Sequence, residues 1–410
     1  MTITRREFLR SGLVLLSAGI SVPSVFTHAV YSATRDRVRP DGQSTTLVVV
    51  QMAGGNDGLN TVIPYADDAY RDRRPTLAID GQDVIPLNER IGLHPSLSPL
   101  KEIWDAGTLA IIEGVGYANP NRSHFRSMEI WQTANPTGAE RTGWLGRYFD
   151  SFLATDSATF KGVNIGGSLP LSLVASATSI PSLGSSDSYR LLAPGRSGDA
   201  SPRTNALLNL YSEYPVTSPY AALLSTVSAG AHQSSLDLQE SIEAYKPAAD
   251  YPKNAFGNGL RVLAQLITRD IGVRVCHIAM GGYDTHSNEK PTHANNLSTL
   301  AGGLQAFHKD IDAHGKANSV LVMTWSEFGR RIQENASNGT DHGAAAPMFV
   351  IGNQVKGGTY GAPSSLTDLD QGDLKFTTDF RSVYATILEK WHGASSSDVL
   401  GAPFPLLNFI

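Results

Sequence analysis

The stretch TLVVVQMAGGNDGLN (residues 46–60) indicates the fold of this chain. Its first seven residues are mainly apolar and β-branched without alternating polar positions, which predicts a strand covered on both faces. The glycines and the Asn-Asp-Gly that follow end such a strand in a tight turn. Strands of this kind are typical of a mostly parallel sheet between two layers of helices.

Four further runs share this apolar, β-branched character. They are residues 109–112, 273–280, 319–324 and 347–351. Helical periodicity is clearest over residues 292–314 and 379–391, where apolar side chains recur at three- and four-residue intervals, and residues 203–267 are also expected to be largely helical. Strands alternating with helices predict an α/β fold with a mostly parallel central sheet flanked by helices.

The N-terminus predicts a removable export signal. Residues 4–10, TRREFLR, precede an uncharged stretch over residues 11–26, and the paired arginines match the twin-arginine signal. We expect residues 1–33 to form this signal peptide and the protein to be periplasmic or otherwise exported. Residues 34–410 are expected to form a single domain with a loop-rich excursion near residues 166–202.

Charge and cysteine content exclude several classes of protein. The 410 residues carry a formal net charge of −5, which becomes −7 when residues 1–29, with three arginines and one glutamate, are removed. An acidic chain argues against a nucleic-acid partner held through phosphate contacts. The single cysteine, Cys276, excludes an internal disulfide and is expected to be a small buried side chain. No stretch after the signal approaches a membrane span, and the oligomeric state is left open.

Polar residues follow the predicted strands at the edge where doubly wound sheets bind ligands. The residues at these strand ends are Asp57, Ser123 with His124, Asp284 with His286, Glu327, and Asp341 with His342. Carboxylates and neutral imidazoles are the usual ligands of divalent metals, and the sequence does not distinguish zinc, manganese, magnesium and calcium. The candidate metal ligands are Asp57, Asp284, His286, Glu327, Asp341 and His342.

Ser123 is the candidate nucleophile. The segment NPNRSH (residues 119–124) indicates the start of a helix, where backbone N–H groups stabilise anionic charge, as a neighbouring metal would. Arg122 or Arg126 would clamp the oxyanion, so Arg122, Ser123 and His124 are the candidate catalytic residues. The candidate substrate-binding residues are Asn56, Asn60, Arg126 and Arg330.

Each of these residues also has a plainer structural explanation. Asn-Asp-Gly at residues 56–58 is by itself typical of a turn, and Ser123 by itself is typical of a helix N-cap. Glu327 could simply pair with Arg330 or Arg331. Their placement together at successive strand ends is what favours a shared site.

The loop motifs as a set resemble a large, uncharacterised bacterial family that is exported by the twin-arginine pathway and grouped with the alkaline phosphatase and sulfatase superfamily. The motifs are GGNDGLN (54–60), NPNRSHFRSM (119–128), GGYDTH (281–286), SEFGRR (326–331) and GTDHG (339–343). The resemblance covers about residues 46–393. It implies an alkaline-phosphatase-like sheet flanked by helices and a hydrolytic activity.

The resemblance also implies roles for some residues. Asp57 resembles the superfamily's first metal-ligand aspartate, and Ser123 resembles its hydroxyl nucleophile, whereas His124 has no obvious counterpart. Asp284 and His286 resemble an aspartate–histidine pair on one metal, with a shorter spacing than the usual Asp-x-x-x-His. No cysteine precedes a Pro-Ser-Arg pattern, so the formylglycine nucleophile of true sulfatases is absent.

Two assignments remain open at the fourth strand. In the first, Glu327 replaces the expected aspartate and Asp341-His342 supplies the later histidine. In the second, Asp341-His342 is itself the expected pair on a displaced loop. The first assignment lacks one imidazole and predicts one metal rather than two.

We therefore expect an exported, metal-dependent hydrolase that acts on a phosphate or sulfate ester of a small molecule or glycan. The alternative from another class is a non-catalytic binding or scaffold protein that retains the fold. A metal-dependent hydrolase of a different bond is a third possibility.

Overall fold

The computed structural model describes residues 45–154, 160–183 and 245–410. The expected signal peptide (residues 1–33) lies outside these residues, as do the second half of the expected excursion and most of the expected helical segment 203–267. Among the described helices, none combines the length and apolarity needed to cross a bilayer.

The described residues alternate between strands and helices. The strands are β1 Thr46–Met52, β2 Val62–Ile63, β3 Ile85–Pro86, β4 Gly92–Leu93, β5 Leu109–Gly116, β6 Gly162–Ile165, β7 Ser182–Leu183, β8 Val275–Met280, β9 Val320–Trp325, β10 Arg330–Glu334, β11 Thr340–His342, β12 Ala346–Ile351, β13 Gly358–Tyr360, β14 Leu369–Asp370, β15 Asp373–Leu374 and β16 Thr378–Asp379. The α-helices are α1 Asp68–Arg73, α2 Ser98–Asp105, α3 His124–Thr133, α4 Trp144–Phe152, α5 Ala255–Thr268, α6 Glu289–Ala313, α7 Phe380–Thr386 and α8 Ser396–Leu400.

Nine of the described strands form the central sheet. Their order is β13-β5-β12-β9-β1-β8-β6-β7, and β16 also pairs with β5. Strand β12 runs antiparallel to β5 and β9, whereas the other pairings in this sheet are parallel. The predicted α/β fold with a mostly parallel central sheet flanked by helices is confirmed.

Strand β1 shows why its sequence is continuously apolar. Leu47 and Val49 pack into the core on one face of the sheet, and Val48, Val50 and Met52 pack into the core on the other. Helices α2, α5 and α6 cover the second of these faces, and α3, α4 and α7 cover the first. Since each buried aliphatic side chain contributes roughly 1.5–3 kcal/mol, both faces favour apolar residues throughout the strand.

Strand β5 and helix α6 are longer than predicted, because polar residues within them have hydrogen-bonding partners in the protein. Strand β5 continues to Gly116, past Glu113, whose carboxylate accepts bonds of 3.0 and 2.6 Å from the Arg90 guanidinium. Helix α6 begins at the buried Glu289, which accepts a 2.6 Å bond from the hydroxyl of Thr340. Periodicity of apolar residues does not reveal such pairs.

The parallel strands β1, β5, β8 and β9 end at the same edge of the sheet. The loops that follow them carry most of the candidate site residues. Cys276 is not a candidate site residue, because it is fully buried within β8 and burial raises the pKa of its thiol far above the usual range.

Candidate metal centre

Three histidines surround the carboxylate of Asp284. His342 Nε2 and His286 Nε2 lie 3.1 and 3.2 Å from Asp284 Oδ1, and His124 Nε2 lies 3.5 Å from Asp284 Oδ2. Ligand atoms of His124, Asp284 and His342 all lie within 4.8 Å of one another, and the Nε2 atoms of His286 and His342 are 2.9 Å apart. We call these four residues the histidine cluster.

The members of the histidine cluster come from three separate segments of the chain. Asp284 and His286 follow β8, His124 begins α3 after β5, and His342 ends β11. The loop after β1 packs directly beneath them, and a Cβ atom on Gly54 would lie 2.4 Å from the backbone nitrogen of Asp284. Gly54 also has a φ of +124°, so glycine is required at this close approach.

The Nδ1 atom of each histidine in the cluster faces an oxygen atom. These contacts are His124 Nδ1 to Glu327 Oε1 at 2.9 Å, His342 Nδ1 to the Arg122 carbonyl at 2.8 Å, and His286 Nδ1 to Asp341 Oδ1 at 3.4 Å. An acceptor at Nδ1 holds the proton of the neutral ring there and leaves a lone pair on Nε2. The lone pairs therefore face Asp284, as in histidines that ligate a metal.

The spacing of these donor atoms fits a single cation. Lone pairs that face one another at 2.9 Å repel unless a proton or cation lies near both. Nitrogen ligands about 2.0–2.1 Å from a tetrahedral ion lie about 3.3 Å apart, close to the contacts within the cluster. The donor set of His124, Asp284 and His342 is therefore suited to hold a metal ion, and His286 lies next to His342.

Charges around Asp284 favour the protonation states that bind a metal. Burial raises the pKa of Asp284, but the hydrogen bond and the positive charge of Arg330 outweigh it and lower the pKa to about 2. Burial lowers the pKa of His342 below its usual value. Because a metal binds the carboxylate and the neutral imidazole, neither group has to lose a proton at neutral pH.

Comparison with known proteins places the chain in a family. Residues 110–397 match the family described as "Protein of unknown function (DUF1501)". The chain belongs to this family. No protein among the curated sequences matches it.

Several solved structures are similar to this DUF1501 protein. They include a protein in the alkaline phosphatase superfamily from Vibrio parahaemolyticus (10% identity, 88% of this chain and 71% of that chain, TM-score 0.40), the lipoteichoic acid synthase LtaP from Listeria monocytogenes (8%, 87% and 75%, TM-score 0.40) and the PsFucS1 sulfatase from Pseudoalteromonas sp. (11%, 88% and 68%, TM-score 0.38).

Glu327 lies behind the histidine cluster rather than within it. Its side chain is fully buried, and Oε1 accepts hydrogen bonds from His124 Nδ1 and from the backbone N–H of Gly54, each at 2.9 Å. In place of the predicted ligand role, this carboxylate orients the His124 ring. Asp341 lies similarly behind His286, but its side chain is 57% exposed.

Asp57 is bound by an arginine instead of facing the cluster. Arg74 Nη1 and Nη2 donate to its two carboxylate oxygens at 2.5 and 2.9 Å, and both side chains are fully buried. Burial raises the pKa of Asp57, but Arg74 outweighs it and holds the pKa well below the usual range. The predicted role of Asp57 as a metal ligand is therefore replaced by a buried ion pair.

The two predicted substrate-binding asparagines are buried and hold the loop after β1. Asn56 Nδ2 donates to the Thr61 hydroxyl at 2.9 Å, and Asn56 Oδ1 lies 3.0 Å from His293 Nε2. Asn60 Oδ1 accepts a 2.6 Å bond from the Tyr70 hydroxyl. Neither amide faces the histidine cluster, because protein groups already satisfy both.

Arg330 connects several loops through hydrogen bonds. Its fully buried guanidinium donates to Asp284 Oδ1 at 2.7 Å and to the backbone carbonyls of Gly54, Gly55, Tyr283 and Thr340. With its N–H groups directed at these oxygens, Arg330 holds Asp284 in place of the predicted substrate-binding role.

The two arginines that flank the start of α3 are also paired. Arg122 Nε donates to Asp373 Oδ2 at 2.7 Å, and its Nη2 contacts the same oxygen. Arg126 donates to the carbonyl of Gly138 at 2.9 Å and pairs with Glu129 at 2.8 Å. Among the described residues, Arg122 Nη1 has no partner, so Arg122 retains a free donor.

Ser123 is exposed, and its hydroxyl makes no capping bond at the start of α3. Its backbone N–H donates to Asn121 Oδ1 at 2.9 Å, which fixes the backbone without using the hydroxyl. The hydroxyl adjacent to His124 is therefore available.

Sequence reasoning misses two features of the site. His124 is predicted as catalytic and not as a ligand, although its position at a strand end is the same signal that selects Asp284. Phe328 packs against the rings of His124 and His342, with centroid distances of 4.9 and 4.5 Å, and forms an apolar floor. Nothing in the sequence around Phe328 distinguishes it from a core residue.

Proposed function

We propose that this protein is an exported, metal-dependent hydrolase of phosphate or sulfate esters with one divalent metal in the histidine cluster. The observation that carries the proposal is that each histidine directs Nδ1 to an oxygen and Nε2 to Asp284. The twin-arginine pattern at residues 4–10 supports export.

The ligands in this proposal are His124, Asp284 and His342, with His286 as the fourth. A set rich in imidazole favours zinc over magnesium, calcium and manganese, which prefer oxygen ligands. When bound, the ion supplies Lewis-acid stabilisation of the anionic ester. Glu327 holds His124 at Nδ1, and Arg330 holds Asp284, so the donor set is preorganised by buried groups.

Ser123 supplies the nucleophilic hydroxyl. It precedes α3, a helix of 10 residues, so the first backbone N–H groups favour negative charge beside it. Arg122 is fixed through Nε and Nη2, which leaves Nη1 to bind an ester oxygen. These residues bind and orient the anionic group. Ser123 Oγ attacks its phosphorus or sulfur atom, the bond to the ester oxygen breaks, and the leaving alcohol takes up the hydroxyl proton; water then hydrolyses the serine ester and releases phosphate or sulfate.

The proposal is tested first by metal content. Purified protein is dialysed with zinc or manganese, and bound metal is measured by plasma mass spectrometry for the wild type, Asp284→Asn and His342→Gln. We expect about one equivalent in the wild type and loss of binding in both variants. His314→Gln is the matched control, because His314 lies 3.2 Å from Asp310 outside the cluster.

Turnover of an aryl phosphate and an aryl sulfate is then measured with Ser123→Ala as the diagnostic variant. We expect this variant to keep its metal and lose activity. Turnover that is unchanged in Ser123→Ala would overturn the nucleophile assignment alone. Metal binding without turnover of any ester would instead support the non-catalytic alternative, and absence of both metal and turnover would exclude the hydrolase.

A further inference from the structure

A cleft of about 680 Å³ shares no residue with the histidine cluster. His94 and Lys290, the second residue of α6, line it, and so do the two carboxylates of Asp80 and Asp83. Its walls also contain apolar side chains such as Ile79. Concave sites of this size that combine apolar walls with a few polar groups are typical of small-molecule binding.

His94 presents a fixed hydrogen-bond donor to this cleft. The residue is 5% exposed, and its Nδ1 accepts a 3.0 Å bond from the backbone N–H of Ser96. Because a ring nitrogen that accepts carries no proton, the proton of the neutral ring is on Nε2. Burial lowers the pKa of His94 to about 4, so the ring is neutral at pH 7. Among the described residues nothing accepts the Nε2–H bond, which leaves this donor for a ligand.

Lys290 adds a positive charge that no carboxylate of the described residues pairs with. Its Nζ donates to the backbone carbonyls of Thr76 and Ala78 at 3.0 and 3.1 Å. These bonds hold the ammonium group in place and leave one of its three N–H groups. Besides burial, the charge of Lys290 lowers the pKa of His94, so the two donors lie close to each other.

Asp80 and Asp83 give the same cleft negative charge. Asp80 Oδ1 accepts a 3.1 Å bond from the backbone N–H of Gln82, and neither carboxylate forms an ion pair with the described residues. The cleft therefore contains unpaired groups of both signs.

The two arginines that line the cleft have partners of their own. Arg74 belongs to the buried ion pair with Asp57. Arg71 Nη2 donates to the carbonyl of Tyr65 at 2.8 Å, and its Nη1 lies 3.8 Å from a carboxylate oxygen of Asp68. The unpaired donors of the cleft are therefore those of His94 and Lys290.

We propose that this cleft binds a small amino-carboxylate zwitterion, an amino acid or a short peptide, independently of the metal. The carboxylate accepts bonds from His94 Nε2 and Lys290 Nζ, whose two N–H groups match its two oxygens. The ammonium group is attracted to Asp80 and Asp83. A ligand of a single sign satisfies only half of these groups, whereas a zwitterion satisfies both.

The test uses two matched sets of ligands. One set is glycine, N-acetylglycine and glycinamide, and the other is triglycine, N-acetyltriglycine and triglycinamide. Acetylation removes the ammonium charge, and amidation removes the carboxylate. Binding is measured by calorimetry for the wild type, Lys290→Met and the double variant Asp80→Asn/Asp83→Asn. Lys309→Met is the control, because Lys309 lies on the same helix outside the cleft and pairs with Glu102 at 2.8 Å.

We expect the zwitterion of at least one set to bind the wild type about fivefold more tightly than its acetylated and amidated forms. Tighter binding of glycine indicates amino acids, and tighter binding of triglycine indicates peptides. Lys290→Met should weaken the zwitterion and the acetylated form by about fivefold and leave the amide within about twofold. The double variant should weaken the zwitterion and the amide instead, and Lys309→Met should change none of them.

Absence of binding, or equal affinity of the three forms in both sets, would overturn the proposal. Equal losses for all forms in Lys290→Met would also overturn it, because they would show a general loss of structure rather than of one charge. Binding that requires zinc would place the ligand at the histidine cluster and exclude the cleft. None of these outcomes affects the hydrolase proposal, which metal content and ester turnover test separately.

A second measurement identifies the site without a change at Lys290. The proton NMR signal of His94 Nε2–H is assigned by its absence in His94→Asn, in which the amide oxygen still caps the backbone at Ser96. We expect this signal to shift when the zwitterion binds the wild type. Binding that leaves the signal unchanged would show that the ligand lies elsewhere and would overturn the proposal.

Discussion

Glu327 Oε1 lies 2.9 Å from His124 Nδ1, and this carboxylate is fully buried. Glu327→Gln keeps an acceptor oxygen but removes the charge that raises the basicity of the ring. We expect metal affinity to fall by about 10–100-fold without loss of the fold. Competition with a chelator measures the affinity, and circular dichroism checks the fold.

Asp341→Asn is the matched control for this prediction. Asp341 occupies the equivalent place behind His286, but at 3.4 Å and with its side chain 57% exposed, so water screens its charge. We therefore expect metal affinity to fall less in Asp341→Asn than in Glu327→Gln. A larger loss of affinity in Asp341→Asn than in Glu327→Gln would contradict the assignment of Glu327 as the positioning carboxylate.

Arg330 should contribute strongly to the stability of the folded protein. Arg330→Met leaves several buried carbonyl groups and Asp284 Oδ1 without their donor, which we expect to lower the free energy of unfolding by about 3–5 kcal/mol. The neighbouring Arg331 is 32% exposed and pairs with Asp373 at 3.2 Å, so Arg331→Met should cost about 1 kcal/mol or less. Urea unfolding of both variants checks the difference, and equal losses would contradict it.

Local sequence predicts the strands of this fold well because their environment is uniform. Residues 46–52 are buried on both faces, so apolar character alone identifies the strand. The order of the strands is not local information. Leu47 pairs with Val275 on one side and Leu321 on the other, and only the folded chain shows that β12 reverses its direction between β5 and β9.

The candidate site could be predicted in part for the same reason. Parallel strands end at one edge, so residues that follow different strands, such as Asp284 and His342, meet there. Asp57 also follows a strand, but its role depends on the cation that contacts it. Arg74 comes from the end of α1, and no spacing in the sequence indicates that its guanidinium binds Asp57 rather than solvent.

The Asp57–Arg74 pair should behave as a buried ion pair. Arg74→Met leaves a buried carboxylate without a counter-charge, and we expect the free energy of unfolding to fall by about 3–5 kcal/mol. The double variant Asp57→Asn/Arg74→Met should recover part of this loss, which a double-mutant cycle measures. Lys101→Met breaks the exposed Lys101–Asp105 pair and should cost about 0.5 kcal/mol or less. Additive effects of the two buried substitutions would show that they are not coupled.

Buried neutral histidines should make the protein less stable in mild acid. Burial lowers the pKa of His392 to about 3 and those of His277 and His293 to about 4, from 6.5. Below pH 6.5 the unfolded chain binds protons that the folded chain does not, so the free energy of unfolding falls by about 1.4 kcal/mol per pH unit for each histidine until pH 4. These groups contribute no pH dependence above that range.

His392→Phe keeps a ring to stack on Tyr148, so the slope between pH 6 and pH 4 should be shallower by about 1.4 kcal/mol per pH unit. Urea unfolding at pH 8, 6, 5 and 4 measures it, and an identical slope in wild type and variant would mean that His392 takes up its proton in the folded state.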